Sequence, residues 1–274
     1  MTHFRTIDIS NMQPAELASQ PSPQMLWVEI AQLVIDDQNQ RPLSKNNLSA
    51  IKRIASDFRW SRFSPVIVAP IEGGRYAIID GQHRAHAAAL CGIKSIPAMV
   101  ALVAPEEQAQ AFIDINTRQI RVSGHQVYRA ALTADEEWAV ECGKAVSAAG
   151  CELMTSNRST ADKRPGQVSC VALIRKTIEA GHGAAVTAGL TAVREFDPES
   201  VANFSDALLT PFLGAAAETG ATASELVAAL HARKPWLVIV TADRLAKTEG
   251  KPMAVVRRGF FVALIHQVQR EGAA

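Results

Sequence analysis

The sequence predicts an α+β protein, with a small mixed sheet in its N-terminal part followed by an all-helical C-terminal part. Two observations carry this. Between Tyr76 and Val103, a run of β-formers, an abrupt glycine turn, an alanine-rich stretch and a second apolar run follow in order, as in a strand, helix and strand unit. From His125 onward, apolar residues recur at helical spacing almost without interruption. The expected division is a polar lead-in over 1–23, a mixed domain over 24–122 and a helical domain over 123–274.

Residues 1–23 are polar and carry Pro14, Pro21 and Pro23, the composition of a loose lead-in. Leu26 to Ile35 reads as a first strand, closed by a turn at Asp36-Asp37. In Lys45 to Phe58 the apolar residues Leu48, Ile51, Ile54, Ala55 and Phe58 fall on one helical face. Ser64-Pro65 introduces a strand over Val66 to Ala69, and Gly73-Gly74 turns it into a second over Tyr76 to Asp80. Gln82 to Cys91 is the alanine-rich helix, with Gly92 where a left-handed C-terminal cap is expected. After the strand that follows, Pro105-Glu106-Glu107 starts another helix, running through Ala109, Phe112 and Ile113 toward Asn116.

Beyond it, helices are expected within Gln126 to Ala149, with Ala134 to Glu137 as a helix start. Others are expected over Val168 to Ala180, Ala184 to Phe196, Glu199 to Leu213, Thr222 to Arg233 and Met253 to Arg270. Thr155 to Gln167 is the clearest loop, and Arg158, Lys163 and Arg164 make it basic. No strong recognition-helix pattern stands out.

With 274 residues, 48% hydrophobic and 20% charged, the chain can bury a sizeable core. A net charge of +1 gives no global pull toward nucleic acid or membrane, but charge is uneven. Arg41 to Arg62 holds six basic residues against Asp57, and His231 to Arg258 holds seven Lys or Arg against Asp243 and Glu249. Such patches can track a phosphate backbone or be solvated faces. The four cysteines show no paired metal-ligand spacing, and Cys91 and Cys142 read as small buried hydrophobes. With neither a signal pattern nor a membrane-length apolar run, a cytoplasmic protein is expected. Gly-x-Ser-x-Gly, His-Glu-x-x-His and Walker patterns are missing, which removes common hydrolase and P-loop readings.

The chemistry gathers at Asp80-Gly81-Gln82-His83-Arg84, where the strand gives way to the helix. A helix start offers unpaired N–H groups and the positive end of the dipole. Gly81 lets a phosphate approach with no Cβ in the way. Arg84 can clamp two phosphate oxygens through its planar fork, and His83 can add a donor. Asp80 can hold a Mg²⁺ that accompanies the phosphates. The plain alternative is that Asp80 merely caps the helix and the charged groups are solvated; five such residues together weigh toward an anion site. Asn116 and Arg118 can point at the same ligand, or belong to an ordinary helix exit. His83 and His86, three apart, can share a helix face as metal ligands, though no third ligand is evident.

Four stretches in order resemble the ParB/sulfiredoxin superfamily, specifically its ParB-like branch carrying the DGQHR motif. Asn39-Gln40-Arg41-Pro42 resembles the connector of ParB N-terminal domains, and Ser64-Pro65-Val66-Ile67-Val68 the strand that follows. Asp80 to Ala88 sits where ParB proteins carry Gly-Glu-Arg-Arg and an alanine-containing helix, and Ile115 to Gln119 where they carry Glu-Asn-x-x-Arg. The resemblance spans roughly Trp27 to Val122. It implies that Gly81, Gln82, His83, Arg84, Asn116 and Arg118, with Gln40 and Arg41 of the connector, bind a nucleoside triphosphate, CTP or ATP. It also implies that Asp80 and Asn116 hold Mg²⁺. Ile115 stands in place of the Glu, leaving Asp114 or Asp80 as substitutes, and the motif arginine falls at Gln119, one position past Arg118. Sulfiredoxins carry a nucleophilic cysteine in this turn; Gln82 occupies that position, so sulfiredoxin activity is not expected.

Three functions follow as expectations. The first is a DNA-associated protein that binds a nucleotide or DNA phosphate at Gly81 to Arg84, its helical half supplying homodimerisation or DNA contacts. The second is a metal-dependent nuclease, or a nucleotide-dependent kinase or NTPase, with His83 as general acid or base and Arg84 stabilising phosphoryl charge. The scarcity of carboxylates near the motif argues against it. The third is a non-catalytic interaction protein in which the turn only staples a helix to the sheet.

Overall fold

The structure, a computed structural model, describes residues 6–17, 19–36, 45–103, 107, 110, 111, 113–115 and 122–272. The chain divides into two compact units, Met1–Ile120 and Arg121–Ala274.

In the first unit, β1 (Gln24–Glu29), β2 (Leu33–Val34), β3 (Val66–Ile71), β4 (Arg75–Asp80) and β5 (Ser95–Val100) form one sheet in the order β1-β5-β3-β4-β2. It is mixed: β1 and β5 pair antiparallel, as do β3 and β4, while β3–β5 and β2–β4 are parallel. The single first strand expected over Leu26 to Ile35 is in fact two, because a 3-10 turn at Ile30–Gln32 intervenes. That turn lets β1 pair with β5 and β2 with β4 on opposite edges. Along β5, Ile96, Ala98 and Val100 are buried in strict alternation, as a half-covered strand requires. They meet Val28, Val66, Val68 and Ile78, and the alanine face of a helix completes the core through Ala85 and Ala88.

That helix is α2 (Gln82–Leu90), packed against α1 (Lys45–Ser56). Its alanines let it lie close to the sheet: Ala87 and Ala88 are fully buried. Its C-terminus is a Schellman arrangement, with Ile93 N–H donating to the Ala88 carbonyl at 3.1 Å and Gly92 N–H to that of Ala89 at 3.0 Å. Gly92 has φ +74, and nothing lies within 4 Å of where its Cβ would stand. The cost of Gly92→Ala is therefore conformational, about 1 kcal/mol, and thermal denaturation should show a drop of a few degrees. Cys91 is exposed at this helix end, against the expectation that it is buried. It occupies the C-cap position, where its Sγ donates to the Ala55 carbonyl of α1 at 3.5 Å.

The second unit is helical apart from a two-residue parallel ladder between β6 (Glu152–Leu153) and β7 (Gln167–Val168). This ladder closes the base of the Thr155 to Gln167 loop and was not expected. Its helices are α3 (Gly124–Thr133), α4 (Glu137–Ala148), α5 (Val171–Glu179), α6 (Gly183–Phe196), α7 (Asp206–Thr219), α8 (Ala223–Ala232), α9 (Pro235–Glu249) and α10 (Met253–Gly272). Ser123 with Gln126, and Thr222 with Glu225, form reciprocal capping boxes. The helix expected from Glu199 begins only at Asp206, after a 3-10 turn at Ala202–Phe204, and continues through Pro211 to Thr219. Helix α9 was missed altogether. Pro235 opens it, and Val238, Ile239, Ala242 and Ala246 form its buried stripe.

The core of this unit centres on Phe212 and Phe261, whose rings meet edge to face at 5.4 Å, with Leu190, Leu209, Leu226 and Ile265 around them. Burial pushes the Cys142 thiol up to about 11 and that of Cys170 up to about 12, so both stay protonated. The two acids of the basic stretch His231 to Arg258 are paired within it. Asp243 accepts from Arg257 Nε and Nη2 at 2.7 and 2.8 Å, and Glu249 pairs with Lys251 at 2.8 Å. Among the described residues, no helix is long and apolar enough to cross a membrane.

Candidate functional site

β3 and β4 form an antiparallel hairpin, and α2 leaves the end of β4 after a single residue. That residue, Gly81, has φ +104 and ψ +17, a conformation open to glycine and rarely to other residues. A Cβ there would stand 2.7 Å from Val66 Cγ1 and 2.8 Å from Arg84 Nη2. Gly81 offers no side chain to cap the start of α2, so, among the described residues, its first N–H groups keep their capacity to bind an anion.

Arg84 folds back over this start. Its Nη1 donates to Ser64 Oγ at 2.6 Å and its Nη2 to Asp80 Oδ2 at 3.1 Å. The two charged side chains are 26% and 30% exposed, so the pair stands at the rim of the core. Among the described residues, Arg84 Nε and His83 Nε2 are enclosed and meet no hydrogen-bond partner. Such groups carry a desolvation cost until a partner arrives. His86 Nδ1 lies 2.8 Å from the Gln82 carbonyl oxygen, which assigns the proton to Nδ1.

Arg84 also borders a cleft of about 230 Å³ in which Arg53, Arg59 and Arg62 converge on the same space, with Phe58 and Phe63 as its apolar wall. Asp57 is the acid among them. It accepts from Arg59 Nε at 3.1 Å and makes a short contact with Arg62 Nη1. The hydrogen bond from Arg59, then the charge of Arg62, hold its carboxyl below the usual range. The convergence of these arginines on Arg84 was not legible in the sequence. The sequence marked Arg53, Arg59 and Arg62 only as part of a basic stretch and Ser64 only as part of a family-like stretch, and neither signal pointed to Arg84.

Asp80, Gly81, Gln82, His83 and Arg84 are thus together at one strand-to-helix junction. Gln40, Arg41, Asn116 and Arg118 lie outside the described residues. Of the substitutes considered for the missing Glu, Asp80 accepts from Arg84 through Oδ2, and Asp114 accepts from Gln110 Nε2 at 3.0 Å. No cluster of three His, Cys, Asp or Glu placed to hold a metal occurs among the described residues.

A family model described as the ParB N-terminal domain matches residues 5–117. No curated protein matches the chain. Among solved structures, the C-terminally truncated chromosome-partitioning protein ParB from Caulobacter crescentus, complexed with CTP-gamma-S, matches at 16% identity and a TM-score of 0.36. It covers 89% of this chain and 98% of its own. The same truncated protein complexed to the centromeric parS site matches at 15% identity and a TM-score of 0.31, over 88% and 99%. Sulfiredoxin from Arabidopsis thaliana matches at 18% identity and a TM-score of 0.27, over 32% of this chain and 97% of its own.

Proposed function

We propose that this chain, whose N-terminal unit carries a ParB N-terminal domain, is a DNA-associated ParB-like protein that binds the phosphates of a nucleoside triphosphate at Gly81 to Arg84. The observation that supports this is the state of Arg84. Its guanidinium is held from two sides by Ser64 and Asp80 against an uncapped, left-handed helix start, and its third donor, Nε, is enclosed without a partner among the described residues.

Each residue then has a task. Gly81 admits the phosphate to the backbone, and the first N–H groups of α2 receive it. Arg84 supplies charge in a fixed direction, because Ser64 and Asp80 have already removed its rotamer freedom. His83 Nε2 adds a donor when the ring carries its proton there. A Mg²⁺ at this site would be held by Asp80 together with the ligand's own phosphate oxygens, the manner in which this ion commonly accompanies nucleotides. The basic cleft of Arg53, Arg59 and Arg62 continues the positive field outward.

The test is a melting experiment on the full chain with CTP, ATP and GTP, each with Mg²⁺. A ligand that binds only the folded state, at about 100 times its dissociation constant, adds about 2.7 kcal/mol. A shift with one nucleotide supports the proposal and names the base; no shift with any of them overturns it. Nucleotide turnover or DNA nicking that disappears in Asp80→Ala would replace a binding role with an enzymatic one.

A further inference from the structure

The segment Asp57-Phe58-Arg59-Trp60-Ser61-Arg62-Phe63 interleaves aromatic rings with arginines. Trp60 is fixed by three edge-to-face contacts: Phe58 at 5.1 Å, Phe63 at 5.5 Å and Trp27 of β1 at 5.6 Å, with planes 67° to 86° apart. Aromatic pairs favour this arrangement. Three neighbours holding one indole ordinarily bury it, yet Trp60 remains 50% exposed and Trp27 65% exposed. Two tryptophans are thus held rigid with open surface, at a strand on the edge of the sheet.

The charges around this surface have one sign in excess. Arg59 and Arg62 flank Trp60 in sequence, with side chains 64% and 60% exposed. Arg53 reaches the same cleft wall from α1. Asp57 offsets part of this charge through its contacts with Arg59 and Arg62. We infer that Trp60 and Trp27 form a stacking platform for the unpaired bases of a single-stranded nucleic acid, whose phosphates run along Arg53, Arg59 and Arg62.

The alternation favours this occupant over others. Ring and guanidinium succeed one another along the segment as base and phosphate do along a strand, and every base has a π-face for an exposed indole. A duplex keeps its bases stacked and out of reach of such a ring. Tryptophan and arginine serve protein interfaces as well, but the excess of exposed guanidinium over carboxylate beside the indole favours a polyanion. The stacking rings lie apart from the Gly81 to Arg84 turn, since neither tryptophan borders the cleft that Arg84 lines, whereas the arginines that follow the phosphates share that cleft with Arg84.

The probe is a fluorescein-labelled oligothymidine of about 15 nucleotides, within the span of known single-strand sites. It is followed by anisotropy on the full chain without nucleotide or Mg²⁺. The expected result is binding that weakens steeply as salt rises from about 50 to 200 mM. Trp60→Ala should weaken it about 10-fold, the scale of one lost stacking contact, while Trp60→Phe stays within about 3-fold of wild type. Trp27→Ala serves as a second, independent variant, with a loss in the same direction. Oligouridine should bind comparably, because stacking does not read the sugar. Trp60→Ala should keep the nucleotide-dependent melting shift, which separates failure here from failure of the proposed nucleotide site. Binding unchanged in Trp60→Ala and Trp27→Ala, or a preference for duplex of equal length, overturns the inference. So does self-association of the chain lost in Trp60→Ala with no strand binding at all.

Discussion

Arg84→Ala is expected to remove the nucleotide-dependent rise in melting temperature while leaving the free protein folded. In wild type the guanidinium arrives at the helix start already oriented, because Ser64 Oγ and Asp80 Oδ2 hold its two Nη atoms. Hydrogen bonds involving a charged group contribute about 1.5–3 kcal/mol each. Losing one such contact weakens the dissociation constant by about 10- to 100-fold. The free protein loses much less. Arg84 and Asp80 are roughly a quarter exposed, water can replace either partner, and a pair near the surface is worth about 0–1 kcal/mol. Arg84→Lys keeps the charge and loses the fork, so its affinity should fall between the two. Titration calorimetry on the three proteins decides the matter. Equal affinity in wild type and Arg84→Ala would place the phosphates elsewhere.

Gly81→Ala should have the largest effect on stability. Two costs coincide at this residue. At φ +104 an L side chain is strained, which costs about 1–3 kcal/mol. Its Cβ would also press on Val66 Cγ1 at 2.7 Å, and Val66 is fully buried in the sheet. Arg84 can swing away from the new methyl; Val66 cannot move without displacing the core, a cost of about 1–3 kcal/mol. Together they come to roughly 2–6 kcal/mol. At about 4 °C per kcal/mol, the value shared by smaller and larger domains, melting should fall by roughly 8–24 °C. Gly92→Ala, with open space around it, should lose only a few. Circular dichroism with amide exchange over residues 66–90 measures both, and a Gly81→Ala protein melting within about 2 °C of wild type would show that the junction tolerates a side chain.

The parts of this molecule that were legible in the sequence are those set by neighbours along the chain. The strand ending at Asp80, the glycine turn, the alanine helix and the cap at Gly92 each depend on a few adjacent residues, and each is where the sequence put it. Elements decided by partners distant in sequence were not legible. A run from Leu26 to Ile35 reads as one strand until β4 and β5 claim its two ends. The ladder of Glu152 with Gln167 has too few residues to leave a periodic trace. Helix α9 lay in a stretch that was read for its charge, and its buried positions went unnoticed. The site divides in the same way. Asp80 to Arg84 is one local motif, whereas the partnership of Arg84 with Ser64 and the arginines of the cleft exist only once α1 and α2 have packed.

The strand order also fixes a sequence of events during synthesis. β3, β4 and α2 are consecutive, and their contacts close short loops, so they can assemble as soon as Leu90 has left the ribosome. β1 is made first, yet its register pairs Gln24 with Val100 and Glu29 with Ser95. It must therefore wait, its backbone groups without their ladder partners, until the last strand of the sheet has emerged. The turn at Gly81 is built early on a local scaffold, and the edge that holds Trp27 is the final piece to dock. Until that moment the newborn chain presents an unpaired apolar strand to the cell.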